Sequence, residues 1–310
     1  MEYRYLGKSG LKVSEVGLGG NTFGRWADEQ TSIAVINHAL DLGVNFIDTA
    51  DMYSRGRSEE IVGKAVKNVR PQVIIATKFG YAMGNGPNER GGSRHYLLKA
   101  IDASLERLQT DYIDLYQMHW PDPTTPIEET LRTLDDLVRV GKVRYIGCSN
   151  FAAWQLSDAL WTSRVNNLQS FVTVQVRYNL LERQIETELL PCCQVHGTGV
   201  IPWGPLAGGF LTGKYRRSEK PPDDARLSKQ MPVYDGIFTE SNWNKLAKLE
   251  TFAAERSHTV GELAMAWLLS KPLVSSVIAG ARNKEQVSAN VAAAEWKLAP
   301  EEVTAVEAIS

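Results

Sequence analysis

The 310-residue sequence predicts an α/β protein in which residues 1–310 form a single domain, a closed (β/α)8 TIM barrel. Short apolar runs rich in Val and Ile alternate along the chain with longer amphipathic segments, the pattern of repeated βα units on a parallel sheet. Eight such runs are present, the number at which a parallel sheet closes with its helices outside. A chain of this length, 43% hydrophobic and 23% charged, is sufficient for one large core.

In chain order, "YRYLGKSGLKVS" reads as a β-hairpin turned at Lys8-Ser9-Gly10, lying ahead of the barrel and placed to plug its bottom. The eight barrel strands are expected at 16–20, 44–48, 73–77, 112–117, 143–147, 171–176, 199–203 and 275–279. Helices are expected between them at 31–42, 58–69, 93–108, 127–140, 151–160 and 187–195, as a pair within 242–271, and at 283–294. In "SEEIVGKAV", Ser58 stands where a helix cap belongs, with Glu59 and Glu60 in the first turn, where the helix dipole favours negative charge. In "VRVGKVRYIG", Gly141 stops a helix and a strand starts at once. The long irregular stretch at 205–241, rich in Gly, Pro and charge, follows the seventh strand; such loops in compact domains tend to be functional or disordered.

A formal net charge of -2 provides no polybasic field, so neither a nucleic-acid backbone nor an anionic membrane is the expected partner; a small molecule is. The start lacks an apolar signal region and no run approaches the length of a membrane span, so a cytoplasmic location is expected. Cys148, Cys192 and Cys193 form neither a disulfide framework nor a CxxC pair. The five histidines show no HExxH or HxxxH spacing, and no metal is expected. Nothing in the sequence speaks to oligomeric state.

In such a barrel the C-terminal ends of the strands converge on one mouth, and chemistry sits there. Asp48 ends the second expected strand, Lys78 follows the third in "VIIATKFG", His119 follows the fourth in "DYIDLYQMHW", and Tyr53 lies in the loop just past Asp48. Singly, each has an ordinary explanation: a turn-forming Asp, a solvated Lys, a packed His. Together at three consecutive strand ends they form a candidate catalytic set. Two familiar fingerprints fail. "GLGGNTFG" has Thr22 where a dinucleotide-binding GxGxxG needs its third glycine, and "GCSNF" lacks the last glycine of a nucleophile elbow.

Seven ordered segments, "VNFIDTADMY", "IIATKFG", "DYIDLYQMHWPD", "VRYIGCSNF", "VQVRYNLLER", "IPWGPLAGGFLTGKY" and "VIAGARNKEQVSAN", resemble the aldo-keto reductases. The long loop and the C-terminal motif look closer to bacterial members and potassium-channel beta subunits than to aldose reductases. The resemblance implies reversible reduction of aldehydes or ketones with NADPH/NADP+. It also implies roles: Tyr53 as general acid, Lys78 and Asp48 tuning it, and His119 orienting the carbonyl. A phenol is a weak acid, with an unperturbed pKa of about 10, and a nearby ammonium would make it a stronger one.

For the cofactor, the resemblance implies that Ser149, Asn150 and Gln175 bond the nicotinamide amide and that Trp203 stacks on its ring. Gly20, Asn21 and Asp48 are expected at the same end. Gly204, Pro205, Leu206 and Gly208, with Lys214 and Arg226, resemble the loop over the pyrophosphate, and Gly280, Arg282, Gln286 and Asn290 resemble the adenosine-end motif. The Gly19-Gly20-Asn21 run departs from the Thr-Trp pair frequent after the family's first strand. Tyr53, His119, Trp120 and Phe79 are the expected substrate contacts, and Phe23, Trp26 and Tyr81 are further aromatic candidates for an apolar vestibule. Two other readings stay open: a redox-sensing regulatory subunit that keeps the reductase site, and a Schiff-base aldolase with Lys78 as nucleophile.

Overall fold

The computed structural model describes residues 1–223, 225–228 and 234–310. The chain opens with an antiparallel hairpin of β1 (Tyr3–Tyr5) and β2 (Lys12–Ser14), pairing Tyr3 with Ser14 and Tyr5 with Lys12. Its Leu6 and Val13 are fully buried among Phe46, Ala76, Leu115, Ile201 and Ile278, the apolar floor of the barrel. The expected plug is therefore present. Gly7 makes the close approach possible: its φ is +57°, and a Cβ there would lie 2.1 Å from the Val172 carbonyl oxygen.

Eight parallel strands follow: β3 (Val16–Gly19), β4 (Phe46–Asp48), β5 (Ile74–Phe79), β6 (Ile113–Met118), β7 (Val143–Ser149), β8 (Thr173–Arg177), β9 (Gly199–Trp203) and β10 (Val277–Gly280). Their order is sequential, and β10 closes the barrel by pairing with both β3 and β9, Ile278 standing beside Trp203. The strands read as continuous apolar runs because both faces are buried, one against the barrel interior and one beneath the helices. Relative to the sequence expectation β5 and β7 run further, so that Lys78 and Ser149 lie within strands rather than after them.

Around the barrel run α1 (Glu29–Asp41), α2 (Arg57–Val66), α3 (Arg94–Leu108), α4 (Ile127–Arg139), α5 (Ala153–Val165), α6 (Leu189–His196), α7 (Glu240–Ala254), α8 (Val260–Leu269), α9 (Lys284–Ala292) and α10 (Pro300–Ile309). Gly141, at φ +80°, ends α4 as expected. Two expectations need correction, and one helix is additional. Ser58 does not cap α2: the helix starts at Arg57 after Gly56 at φ 89°, and the Ser58 hydroxyl bonds outward instead, to the Gly20 carbonyl and Thr49 Oγ1, both at 2.8 Å. Asp28, not Thr31, opens α1 by accepting from the Thr31 N–H. α10 was not expected at all, although Pro300 with Glu301 and Glu302 is a helix start by residue type. Within the expected loop at 205–241, positions 224 and 229–233 lie outside the described residues; the remainder includes 3-10 turns at Ala207–Thr212 and Arg226–Ser228. No described helix is long and apolar enough to cross a membrane.

Candidate active site

Parallel pairing brings the strand ends to one rim. Gly19 stands beside Asp48, Lys78 beside Gln117, and Ser149 beside Gln175. At the centre, Lys78 Nζ donates to Asp48 Oδ2 at 2.5 Å, to the Thr49 carbonyl at 2.9 Å and to Tyr53 Oη at 3.4 Å. Asp48, 2% exposed, lines the bottom of the cleft, and the wholly buried Lys78 lies beneath it. Tyr53 is placed by a turn held from both sides. Upstream, the amides of Thr49 and Asp51 donate to the carbonyls of Ala76 and Lys78 at 2.8 and 3.2 Å. Downstream, Ser54 and Arg55 take left-handed φ values of 51° and 55°, and the Ser54 hydroxyl donates to the Phe23 carbonyl at 2.8 Å.

The electrostatics refine the sequence expectation. Burial raises the Tyr53 phenol above its ordinary value, and the opposing pull of the Lys78 ammonium does not cancel this. Tyr53 is therefore protonated through the neutral range in this form, and the Lys78 ammonium reduces the cost of ionising it. Burial disfavours the charge on Lys78 too, but Asp48 and Tyr53 outweigh it and raise its pKa. An ammonium that directs its protons to three oxygens is not the neutral, accessible amine that a Schiff base requires. His119 is held neutral: burial, then the charge of Lys78, push its pKa well below the usual imidazole value. Its ring meets those of Tyr53 and Tyr81 edge-on at 5.8 and 4.7 Å.

Above this set lies a cleft of about 650 Å³. One end is walled by Trp26, Met52, Tyr53, Tyr81, His119 and Trp120. The floor passes Ser149, Asn150, Gln175 and Trp203. These four are tied together: the Ser149 hydroxyl donates to the Gln175 carbonyl at 2.8 Å, Asn150 Nδ2 donates to the His119 carbonyl at 3.0 Å, and Trp203 Nε1 donates to Asn150 Oδ1 at 3.1 Å. The cleft is further lined by Gly204 to Leu206, Gly208, Lys214, Arg226, Gly280, Arg282, Gln286 and Asn290, and Arg226 is near enough to Tyr53 for its charge to act on the phenol. Asn283 caps α9, and Gln286 Oε1 accepts from the Arg282 amide at 2.9 Å, so side chains already serve part of that helix terminus.

These residues suit a phosphorylated dinucleotide. A flat indole, three cations along the cleft, and the buried Asn21 Oδ1, which has no hydrogen-bond partner among the described residues, are the types of group it would engage. Metal-binding groupings of three or more His, Cys, Asp or Glu do not occur among the described residues.

Of the expected site residues, Gly20 and Phe79 lie off the cleft. Gly20 is buried in a 3-10 turn where its carbonyl accepts from Ser58, and Phe79 is wholly buried against the Tyr116 ring at 4.8 Å. Phe23, an aromatic candidate for the vestibule, is likewise wholly buried in the core. Gln175 Nε2 is directed at Asp48 Oδ1, 2.8 Å away, leaving its side-chain oxygen Oε1 for a ligand. Sequence reasoning missed Gln117, whose Nε2 reaches the same oxygen at 3.2 Å, and the lining supplied by Tyr234, Thr259, Glu262 and Met265. For the last group a signal existed: Thr259 and Glu262 form a capping box that starts α8 at the rim.

Residues 15–310 match the Aldo/keto reductase family, and the chain belongs to it. The chain is 37% identical over 317 residues to a probable voltage-gated potassium channel subunit beta of Oryza sativa subsp. japonica, covering 100% of this chain and 96% of the relative. It is 38% identical to versiconal hemiacetal acetate reductase of Aspergillus parasiticus, covering 99% and 96%, and 36% identical to L-glyceraldehyde 3-phosphate reductase of Escherichia coli K12, covering 94% and 87%. The family and its reductase members make this chain an oxidoreductase by class.

Proposed function

We propose that this chain is an NADPH-dependent reductase of aldehydes or ketones with Tyr53 as its general acid, the described chain acting as one catalytic domain. The observation that carries the reading is the position of Lys78 Nζ, bonded at once to Asp48, Thr49 and Tyr53 beneath the cleft. NADPH, when bound, supplies the hydride. Trp203 offers the flat face for the nicotinamide, with Ser149, Asn150 and Gln175 around its amide; Lys214, Arg226 and Arg282 take the phosphates, and Gln286 and Asn290 lie at the adenosine end. Tyr53 and the neutral His119 hold the carbonyl oxygen, and the Tyr53 proton passes to that oxygen as charge develops on it. Lys78 stabilises the phenolate left behind, and Asp48 holds Lys78 in place.

Tyr53→Phe tests this. Turnover of aldehydes should fall by about 10²- to 10⁴-fold, the worth of general-acid catalysis, while NADPH affinity by protein fluorescence stays within about twofold. Near-normal turnover would end the proposed role. A second reading, a redox-sensing subunit with weak turnover, is favoured by the likeness to the rice channel subunit. Steady-state rates on simple aldehydes separate the two.

A further inference from the structure

We infer that Gln117 is a positioning residue of this site: together with Gln175 it fixes the rotation of the Asp48 carboxylate and takes up part of its charge, leaving more of the Lys78 field to act on Tyr53. The inference rests on the reading of Tyr53 as general acid.

Gln117 is wholly buried in β6, in register with Lys78 of β5, so the two side chains point into the barrel side by side. The Asp48 carboxylate is divided between two kinds of donor. Oδ2 takes Lys78 at 2.5 Å, while Oδ1 takes two amides, Gln175 at 2.8 Å and Gln117 at 3.2 Å. The amides come from β6 and β8, across the barrel from β4, and glycine in the strand between them makes room. A Cβ at Gly147, the β7 partner of Gln117, would lie 3.3 Å from Gln117 Cγ and 2.7 Å from Thr173 Oγ1. A side chain present only to fill this layer could be apolar, and would avoid the desolvation of a buried amide.

The electrostatic consequence has a definite sign. The negative charge of Asp48 opposes ionisation of Tyr53, while the positive charge of Lys78 and, more weakly, that of Arg226 from the loop after β9 favour it; the neutral His119 ring beside the phenol adds no charge. N–H groups on Oδ1 offset the first without touching the second. Removing one weakens the phenol as an acid.

Gln117→Met keeps the volume and removes the donor. Carbonyl reduction needs the phenol protonated, so kcat falls on the alkaline side of its pH profile. In the variant that alkaline limb should move upward by about one pH unit, and kcat at neutral pH should drop about tenfold, as for the loss of a hydrogen bond to a charged group. NADPH affinity should stay within about twofold. A limb that does not move, whatever happens to kcat or melting temperature, overturns the inference. If Gln117→Met does not fold, Gln117→Glu serves, since it donates only while its carboxyl is protonated. Its turnover relative to wild type should fall between about pH 5 and pH 9, and a constant ratio overturns the inference equally. An inactive Tyr53→Phe with an unmoved limb in Gln117→Met sinks this inference alone, whereas a fully active Tyr53→Phe sinks the reading beneath it.

Discussion

Asp51→Asn should stabilise the fold, by an amount that grows with pH. Asp51 lies in the turn between Asp48 and Tyr53, is 1% exposed, and has no hydrogen-bond partner for either carboxylate oxygen among the described residues. Burial, and then the nearby charge of Glu59, push its pKa from 3.8 up to about 8. Below about pH 4 both the folded and unfolded chains carry this proton, and the group's contribution is fully present. As pH rises, the unfolded chain releases the proton while the folded chain keeps it. Stability then falls by about 1.4 kcal/mol per pH unit until pH passes the folded value. At pH 7 the accumulated loss is on the order of 4 kcal/mol. Asn resembles the protonated carboxyl in shape and does not titrate, so the variant should escape that loss. Urea unfolding followed by tryptophan fluorescence at several pH values from about 5 to 8 would show the two curves diverging. Wild type and variant separated by the same amount at every pH would mean that Asp51 is ionised in the folded protein, and the reasoning would fail.

Two other outcomes follow from charged groups. Arg282→Ala should weaken NADPH by about 2 kcal/mol and leave NADH almost unchanged, because a guanidinium pairs with the 2'-phosphate that only NADPH carries; equal losses in fluorescence titrations of both would assign Arg282 to the adenosine or the fold. Arg107→Leu should destabilise the protein by about 3–5 kcal/mol, since it strands the charge of Glu59. That carboxylate is wholly buried and bonded at 2.6 Å to both Arg107 and Thr77. A loss under about 1 kcal/mol in chemical denaturation would show that Glu59 is not carrying a charge that needs Arg107.

The barrel was legible because each strand is an apolar run between amphipathic segments, a pattern local to the strand itself. Asp48, Lys78, His119 and Tyr53 were legible because parallel strands deliver their C-terminal ends to one rim. What escaped depends on distant partners. A serine before two glutamates is the local pattern of a cap, yet the Ser58 hydroxyl finds Gly20 and Thr49, residues of other segments. Phe79 sits one residue beyond Lys78, and strand alternation sends neighbouring side chains to opposite faces: Lys78 inward, Phe79 into the layer under the helices. Gln117 lies two residues before His119 in a strand that reads as core. Only the register with β5 and the missing side chain at Gly147 reveal that it reaches Asp48. The net rise in the Tyr53 pKa was equally hidden, because sequence shows the nearby lysine but not the depth of the phenol.

The left-handed pair Ser54 and Arg55 divides the labour of the cleft. Each residue costs roughly 1–2 kcal/mol in that conformation, so the segment persists only because its anchors on Lys78 and Phe23 hold it there. A turn clamped against its own preference works as a fixed jaw rather than a hinge, and it sets the phenol at one height above the barrel whatever enters. On the proposed reading, choice among carbonyl compounds therefore falls to other lining residues, Tyr81 and Trp120, which stand 37% and 48% exposed on loops beyond β5 and β6. Those side chains can be exchanged without disturbing the strands below, so the selectivity of the cleft can drift while its proton donor stays still.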